Sequence, residues 1–243
     1  MTDSGYWPEG RRGAISLTFD DAAPSQLANA MPVLERYGLR GTFYVTYTKA
    51  HFQESLEAWR GAFARGHEIG NHSRTHPCSG NYPWIGDNAL EEFTLARMEA
   101  ELKEAQADLT RLIPGLGRCS FAYPCGQTFV GRGRGRQCYV PIVADLFPAG
   151  RGVGESANRP ARCDLACLSS WMVAAESAEQ LIARAEGAVE AGDWGIFCFH
   201  GIGGDHIAID LDAFEGLVRH LAENRSRIWT DTVLAVADHV ATA

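Results

Sequence analysis

The sequence predicts an α/β fold, a single distorted (β/α) barrel with seven or eight parallel strands, formed by one domain over residues 1–243. Short apolar segments typical of strands alternate with segments of helical periodicity along the chain. Repeated strand-then-helix units imply parallel strands with crossover helices. Seven or eight such units in 243 residues fit a closed barrel better than an open sheet. No internal repeat or linker divides the chain, so we expect one domain.

Each predicted strand has a local signal. Ala14–Phe19 is a short apolar segment that ends in acids, and Gly195–Phe199 is apolar throughout, as a buried strand would be. Thr42–Tyr47 is rich in β-branched and aromatic residues. The other predicted strands are Glu68–Asn71, Cys119–Tyr123, Phe147–Gly150, Asp164–Leu168 and Ile228–Thr230.

Helices are predicted where apolar residues recur at helical spacing. Ser25–Tyr37 shows this spacing and stops at Gly38. Asn88–Leu112 is the longest such segment, and Pro114 closes it. The other predicted helices are Ser55–Ala64, Tyr139–Leu146, Ala178–Ala191, Leu211–Glu223 and Thr232–Val240.

Charge and composition exclude several classes of partner. The net charge is −8 and the sequence pI is about 5.5, which argues against nucleic acid or an anionic membrane surface. No apolar run reaches the roughly 18–20 residues of a membrane-spanning helix. The N-terminal segment Met1–Gly13 is polar, so we expect no export signal and a cytoplasmic location.

The cysteine count is odd, and the cysteines lack zinc-finger spacing. We therefore expect free thiols in a reducing compartment. The seven residues are Cys78, Cys119, Cys125, Cys138, Cys163, Cys167 and Cys198.

Chemistry-bearing side chains follow three of the predicted strands. In barrels of this class the chemistry gathers at the C-terminal strand ends. Asp20 and Asp21 follow the first strand, His72 and His76 the third, and His200 the apolar strand near the C-terminus. Two histidines and one carboxylate, with a fourth position open, form a catalytic zinc pattern. Each of these features has another interpretation when it is considered alone. The two acids could cap a helix, and the two histidines could share this spacing by chance. His200 could be a packing residue at the end of its strand.

Together these residues resemble polysaccharide deacetylases of the NodB-homology type, carbohydrate esterase family four. The resemblance covers roughly residues 14 to 240 and rests on three motifs. They are TFDD at 18–21, HSRTHP at 72–77 and FH at 199–200.

The resemblance implies a distorted barrel that removes N-acetyl, and as a further option O-acetyl, groups from a carbohydrate with one divalent metal ion, zinc being the default. Asp20 would be the general base and His200 the general acid. Asp21, His72 and His76 would be the metal ligands.

Several residues are expected to contact the substrate, and the resemblance implies the first of them. The usual third motif of the family corresponds here to Phe121–Gly126, and the resemblance implies that a backbone N–H of this segment, at Cys125 by position, helps to hold the oxyanion. Tyr123 and Pro124 precede Cys125. Trp84, with its neighbour Tyr82, follows the histidine motif; these rings either stack on a sugar or pin their own loop. Trp171 occupies the place of the fourth motif.

Two departures from the family pattern concern catalytic support. Ala122 stands where the family has an Arg that steadies the catalytic Asp, and we expect Arg151, or an Arg of the 132–136 loop, to supply the charge. The family Asp that partners the acid His is not evident near Ser169-Ser170-Trp171. The 131–136 segment is expected to be a flexible loop, with contact to substrate as the alternative. Asp205, His206 and Asp210 follow His200 and could line the rim of the site, but a solvated loop is the favoured interpretation.

Two alternative functions remain open on the sequence. Relatives of this fold open C–N bonds of small cyclic amides, and free cysteines with no export signal suit such an enzyme. A non-catalytic carbohydrate-binding barrel would also explain both departures. Retention of Asp20 and His200 counts against the latter, because neither is needed to bind metal or sugar.

Overall fold

A computed structural model describes residues 6–243 of the chain. Its strands are β1 Gly13–Asp20, β2 Thr42–Val45, β3 Glu68–Asn71, β4 Phe121–Ala122, β5 Phe129–Val130, β6 Gln137–Cys138, β7 Gly150–Arg151, β8 Trp171–Met172, β9 Trp194–Phe199 and β10 Ile228–Thr230. Its helices are α1 Met31–Arg36, α2 Ala50–Glu54, α3 Leu56–Ala64, α4 Leu95–Leu112, α5 Val140–Leu146, α6 Ala178–Ala191, α7 Leu211–Glu223 and α8 Val233–Val240.

Parallel strands form the barrel. Their hydrogen-bonded order is β7-β4-β3-β2-β1-β9-β8, and β10 pairs with the first half of β1. Leu168, shortly before β8, exchanges backbone hydrogen bonds with Gly150 and Gly152, so this segment also contacts the β7 edge. The strands on the β4, β7 and β8 side are only two residues long, which distorts the barrel. The predicted α/β barrel with seven or eight parallel strands is confirmed.

The core explains why the central strands are continuous apolar segments. Every residue of β1 is buried, because the strand faces the barrel interior on one side and helices on the other. The Phe19 ring stacks on Phe43 at 4.7 Å and on Phe199 at 5.5 Å between centroids, which ties three neighbouring strands together. Phe214 of α7 packs edge-on against Phe19. This packing fixes the strand ends that carry the polar motifs.

The long predicted helix begins later than its periodicity indicated. Residues 86–92 form two 3₁₀ turns, and α4 starts only after Thr94, whose hydroxyl accepts a hydrogen bond from the Arg97 N–H. The predicted helix Ser25–Tyr37 likewise opens with a π-helical turn over Gln26–Ala30 before α1.

Two strand predictions were shifted along the chain. Asp164–Leu168 contains a 3₁₀ turn, because the Asp164 carboxylate accepts a hydrogen bond from the Ala166 N–H and favours a local turn over a strand. The strand in this region is β8. The strand predicted at Phe147–Gly150 is β7, which starts at Gly150.

The 131–136 segment, for which a flexible loop was predicted, has a defined path in the structure. It turns between the antiparallel strands β5 and β6, and the Arg136 guanidinium packs over the Phe129 ring at 3.4 Å. Residues 1–5, part of the polar segment behind the export prediction, lie outside the described range. Within residues 6–243, no helix is long and apolar enough to cross a membrane.

Candidate active site

The polar motifs meet at the C-terminal mouth of the barrel, where the backbone is held in uncommon conformations. Asp21 and Ala22 follow β1 with φ of 72° and 54°, and Ser73 and His76 follow β3 with φ of 65° and 55°. Such left-handed conformations cost about 1–3 kcal/mol each for residues other than glycine and tend to cluster at functional sites. The mouth is therefore held in place by its surroundings.

Short side-chain contacts shape the loop that carries the two histidines. The side-chain Oδ1 of Asn71 accepts a hydrogen bond from the Ser73 N–H at 2.8 Å, and the Ser73 hydroxyl accepts one from the His76 N–H at 3.0 Å. These bonds turn the chain back immediately after β3, so that His72 and His76 face the same centre. Their rings lie edge to face, 4.8 Å apart.

Asp21, His72 and His76 converge as the metal pattern requires. The Asp21 Oδ1 atom lies 3.5 Å from His76 Nε2 and 3.9 Å from His72 Nε2. Two ligands of one tetrahedral ion, with bonds of about 2.0–2.1 Å, lie about 3.3 Å apart, so these atoms fit an ion after small movements. One carboxylate oxygen and two imidazole nitrogens are a donor set suited to zinc and its neighbours.

Charge and hydrogen bonding also suit ligation. His72 Nδ1 lies 2.9 Å from the Ala122 carbonyl oxygen and donates to it, which leaves Nε2 free to bind a metal. Burial lowers the pKa of His76 to about 4, so its ring is neutral at pH 7. Burial alone would raise the pKa of Asp21, but a hydrogen bond with His206 and the nearby histidines hold it far below its usual range.

Asp20 forms a buried ion pair with Arg151, the arginine favoured on the sequence. Arg151 Nη2 donates a hydrogen bond to Asp20 Oδ1, and both side chains are almost fully buried. The guanidinium comes from β7, opposite Ala122 of β4 in the strand register, and its carbon lies 5.0 Å from the centre of the Tyr44 ring. Burial opposes the charge on Asp20, but Arg151 and nearby His72 outweigh it and lower the Asp20 pKa.

His200 lies beside the same centre but has no acidic partner behind it. Its Nε2 atom is 4.0 Å from Asp21 Oδ2, and within residues 6–243 its buried Nδ1 has no hydrogen-bond partner. The Gln26 amide donates to the carbonyl oxygens of both Asp20 and His200, which fixes the two strand ends relative to each other. Burial lowers the pKa of His200. Among the described residues, none therefore takes the place of the family Asp of the fourth motif.

His206 is a site residue that the sequence reasoning placed in a solvated loop. Its Nε2 atom lies 2.9 Å from Asp21 Oδ2, although the side chain is half exposed. No spacing pattern links it to the motifs. The available signal was its position six residues after His200 in a glycine-rich segment that must turn back.

The third motif contradicts the prediction of free thiols. Cys125 forms a disulfide bond with Cys78, which packs against the His76 ring with its sulfur 3.6 Å from Nδ1. Spacing did not reveal the pair, because 47 residues separate its members. The chain folds the two loops onto each other at the mouth. The remaining five cysteines are free.

The mouth encloses a cavity of about 470 Å³. The charged groups described above line its floor together with Cys125. Its rim is mainly apolar and aromatic, and Trp84 stacks on Tyr82 with 4.7 Å between ring centroids while remaining 68% exposed. The apolar and aromatic lining residues are Tyr82, Trp84, Val153, Met172 and Ile207, and Lys49 and His51 also line the cavity.

Three residues expected to contact substrate lie elsewhere. Trp171 packs in the core against Phe197, at 4.9 Å between ring centroids, because alternation along β8 turns Met172 rather than Trp171 toward the cavity. Tyr123 is buried, and its hydroxyl donates to the Ala166 carbonyl oxygen. Pro124 is buried as well. These three predictions are corrected by the structure.

Comparison with known proteins identifies the family. The family model described as polysaccharide deacetylase matches residues 8–130. A curated relative, a gellan lyase from a Bacillus species, is 29% identical over 146 residues, or 60% of this chain. The chain spans only 5% of the length of that relative.

Solved structures show the same fold at low sequence identity. A family 4 acetyl xylan esterase from Clostridium thermocellum, in complex with a cobalt ion, aligns with a TM-score of 0.58 at 18% identity, covering 94% of this chain and 91% of the esterase. A mutant of a CE4 family pseudoenzyme also aligns with a TM-score of 0.58, at 16% identity, covering 94% of this chain and 68% of that one.

Proposed function

The chain belongs to the polysaccharide deacetylase family, and we propose that it is an active, metal-dependent hydrolase that removes acetyl groups from a carbohydrate. The observation that carries the proposal is the buried pair of Asp20 and Arg151 beside the Asp21, His72 and His76 cluster. A binding barrel would have no use for a carboxylate kept ionised next to a metal-ligating cluster.

Asp21, His72 and His76 would hold the divalent ion, with zinc as the first choice. When bound, such an ion polarises the acetyl carbonyl and makes a nearby water a better nucleophile. The protein contributes the ligand orientation, because the Ala122 carbonyl fixes the His72 ring and the Ser73 hydroxyl fixes the backbone of His76.

Asp20 acts as the general base in this proposal. Arg151 binds Oδ1, whereas Oδ2 lies on the side of the histidines, 3.7 Å from His72 Nε2. Oδ2 is therefore the oxygen that accepts a proton from the attacking water. Because the guanidinium keeps the pKa of Asp20 low, the base is ionised and ready at neutral pH.

The N–H of Cys125 and the ring of His200 complete the reaction. Cys125 has a φ of 52°, and the disulfide to Cys78 holds this turn at the cavity floor, where its N–H can donate to the oxyanion. His200 gives a proton from Nε2 to the leaving amine or alcohol. Acetate and the deacetylated sugar are the products.

The cavity rim supports a carbohydrate substrate. Trp84 presents an exposed ring beside an opening of sugar size, and sugar rings stack on such faces with their C–H bonds. We propose that Trp84, supported by Tyr82, binds a sugar unit next to the one that is deacetylated.

A non-catalytic carbohydrate-binding barrel is the second candidate. The observation that favours it is the unpartnered Nδ1 of His200, because no carboxylate stabilises the charged acid form. A related pseudoenzyme of the same fold shows that the barrel is also found without activity.

Acetate release distinguishes these candidates. Folded protein loaded with zinc or cobalt is incubated with acetylated chitooligosaccharides, acetylated xylan and small cyclic amides. We expect acetate from at least one acetylated sugar and a large loss of it in Asp20→Asn. The exposed Asp145 of α5 provides the matched control Asp145→Asn, which should retain activity. Sugar binding without acetate release would support the binding barrel, and ring opening would support an amide hydrolase.

A further inference from the structure

We propose that Asp21, His200 and His206 form a second divalent-cation site, in which excess zinc binds next to the first ion and inhibits the enzyme. The inhibition rests on the proposed role of His200 as the acid, whereas the binding site rests on the geometry alone. None of the motifs described above includes His206.

The two oxygens of Asp21 face two different pairs of histidines. Oδ1 points to His72 and His76, as described above. Oδ2 lies 2.9 Å from His206 Nε2 and 4.0 Å from His200 Nε2. These distances bracket the separation of about 3.3 Å expected between two ligands of one tetrahedral ion. The ligand atoms of Asp21, His200 and His206 all lie within 4.8 Å of one another.

The loop that presents His206 is fixed rather than loosely solvated. The Asp205 carboxylate accepts a hydrogen bond from the Ser25 N–H at 2.7 Å, and the His206 carbonyl oxygen accepts one from the Gly201 N–H at 3.1 Å. Ile207 has a φ of 47°, a strained value for a β-branched residue. Because the loop is anchored on both sides and keeps this strained conformation, the His206 ring is held in a fixed position next to Asp21.

The ligand types of the second site indicate which cations it binds, and the exposure of its residues indicates how a cation enters. Two imidazoles and one carboxylate select zinc, cobalt or nickel over calcium or magnesium. His200 is buried and His206 is half exposed, so the cation enters from the cavity and meets a prearranged donor. A carboxylate that bridges two ions is familiar from two-metal hydrolases.

Electrostatic repulsion makes the affinity of the second site lower than that of the first. Arg151 already neutralises Asp20, so a single carboxylate, that of Asp21, serves both cations. Because the ions repel each other across it, the second binds more weakly than the first. Its binding would occupy Nε2 of His200, the atom that we propose donates the proton. Zinc beyond one equivalent should therefore slow the reaction.

Calorimetric titration of the metal-free protein with zinc tests the site. We expect two equivalents of different affinity in the wild type and loss of the weaker one in His206→Ala. His220→Ala is the matched control, because His220 lies on α7, hydrogen-bonds with Glu186 and belongs to neither cluster, so it should retain both equivalents.

Two further measurements separate this proposal from the proposed function. The variant His72→Ala/His76→Ala should lose the tight equivalent and keep the weak one, even if the protein has no deacetylase activity. His206→Gln keeps a polar side chain at this position. If it loses the weaker equivalent and retains the tighter one, the loss does not come from misfolding. A single equivalent in the wild type, or two in both His206 variants, would overturn the second site.

Discussion

Replacing Arg151 by methionine tests the charge arrangement at the base most directly. The variant Arg151→Met keeps much of the side-chain volume but removes the cation that faces Asp20. Both partners of this pair are almost fully buried, at 1% and 5% side-chain exposure, so solvent cannot replace the lost charge. Asp20 must then either remain as an unpaired buried anion or take up a proton.

The loss of unfolding free energy depends on whether Asp20 remains charged or takes up a proton. Removing one partner of a buried ion pair costs about 3–5 kcal/mol of unfolding free energy when the other remains charged. Without Arg151, the pKa of Asp20 rises, since the guanidinium is the foremost group that lowers it. Protonation then relieves the cost, so the destabilisation is largest at high pH and shrinks as the pH falls through the raised pKa, by about 1.4 kcal/mol per pH unit.

The assay combines urea unfolding with the pH profile of kcat/KM for acetate release. In Arg151→Met we expect the acidic limb of the profile to move to higher pH and activity at pH 7 to fall. Arg118→Met is the matched control, because Arg118 pairs with Asp238 at the surface and should cost only about 0–1 kcal/mol. An unchanged acidic limb together with unchanged stability would refute the assignment of Arg151 as the cation that supports Asp20.

Three further outcomes are expected. Asp20→Asn should lower the rate of acetate release by about 10²–10⁴-fold with metal content nearly unchanged, whereas Asp21→Asn should lose the metal, as elemental analysis would show; equal metal loss in both would mean that the two roles are assigned wrongly. Cys78→Ser/Cys125→Ser should lose about 4 kcal/mol of unfolding free energy, the chain-entropy value for a cross-link over 47 residues, and thiol titration of the denatured, unreduced wild type should find five free thiols; seven thiols would exclude the disulfide. Trp84→Ala should raise KM for an acetylated oligosaccharide about 2- to 12-fold, from stacking worth about 0.5–1.5 kcal/mol, without changing kcat for a small acetyl ester; an equal KM would remove Trp84 from the binding site.

The residues at the strand ends could be predicted because they depend on two local facts. Strands are recognisable as apolar segments, and parallel strands present their C-terminal ends on one side of the barrel. Asp20 ends such a segment, and His72 and His200 each follow one directly, so their meeting in space follows from the fold. Arg151 could be chosen on the same grounds, as a charged residue at the end of a short apolar segment.

The features that sequence reasoning missed depend on contacts between distant loops. The disulfide needs the loops of Cys78 and Cys125 to meet, and no spacing rule encodes this. His206 reaches Asp21 only because a loop anchored through Asp205 turns back on itself. The orientation of Trp171 depends on the start of β8, and a shift by one residue moves a side chain to the other face.

The register between β4 and β7 has a consequence for how chains of this kind are recognised. Ala122 and Arg151 are paired neighbours in adjacent parallel strands, so their side chains leave the sheet on the same face, about 4.8 Å apart. A guanidinium on either strand can therefore reach the same carboxylate. A motif records the strand that carries a charge, whereas the reaction depends on where the charge lies in space. The absence of the motif arginine is therefore not by itself a sign of an inactive barrel, and the exchange Ala122→Arg with Arg151→Ala would move the guanidinium to the neighbouring strand.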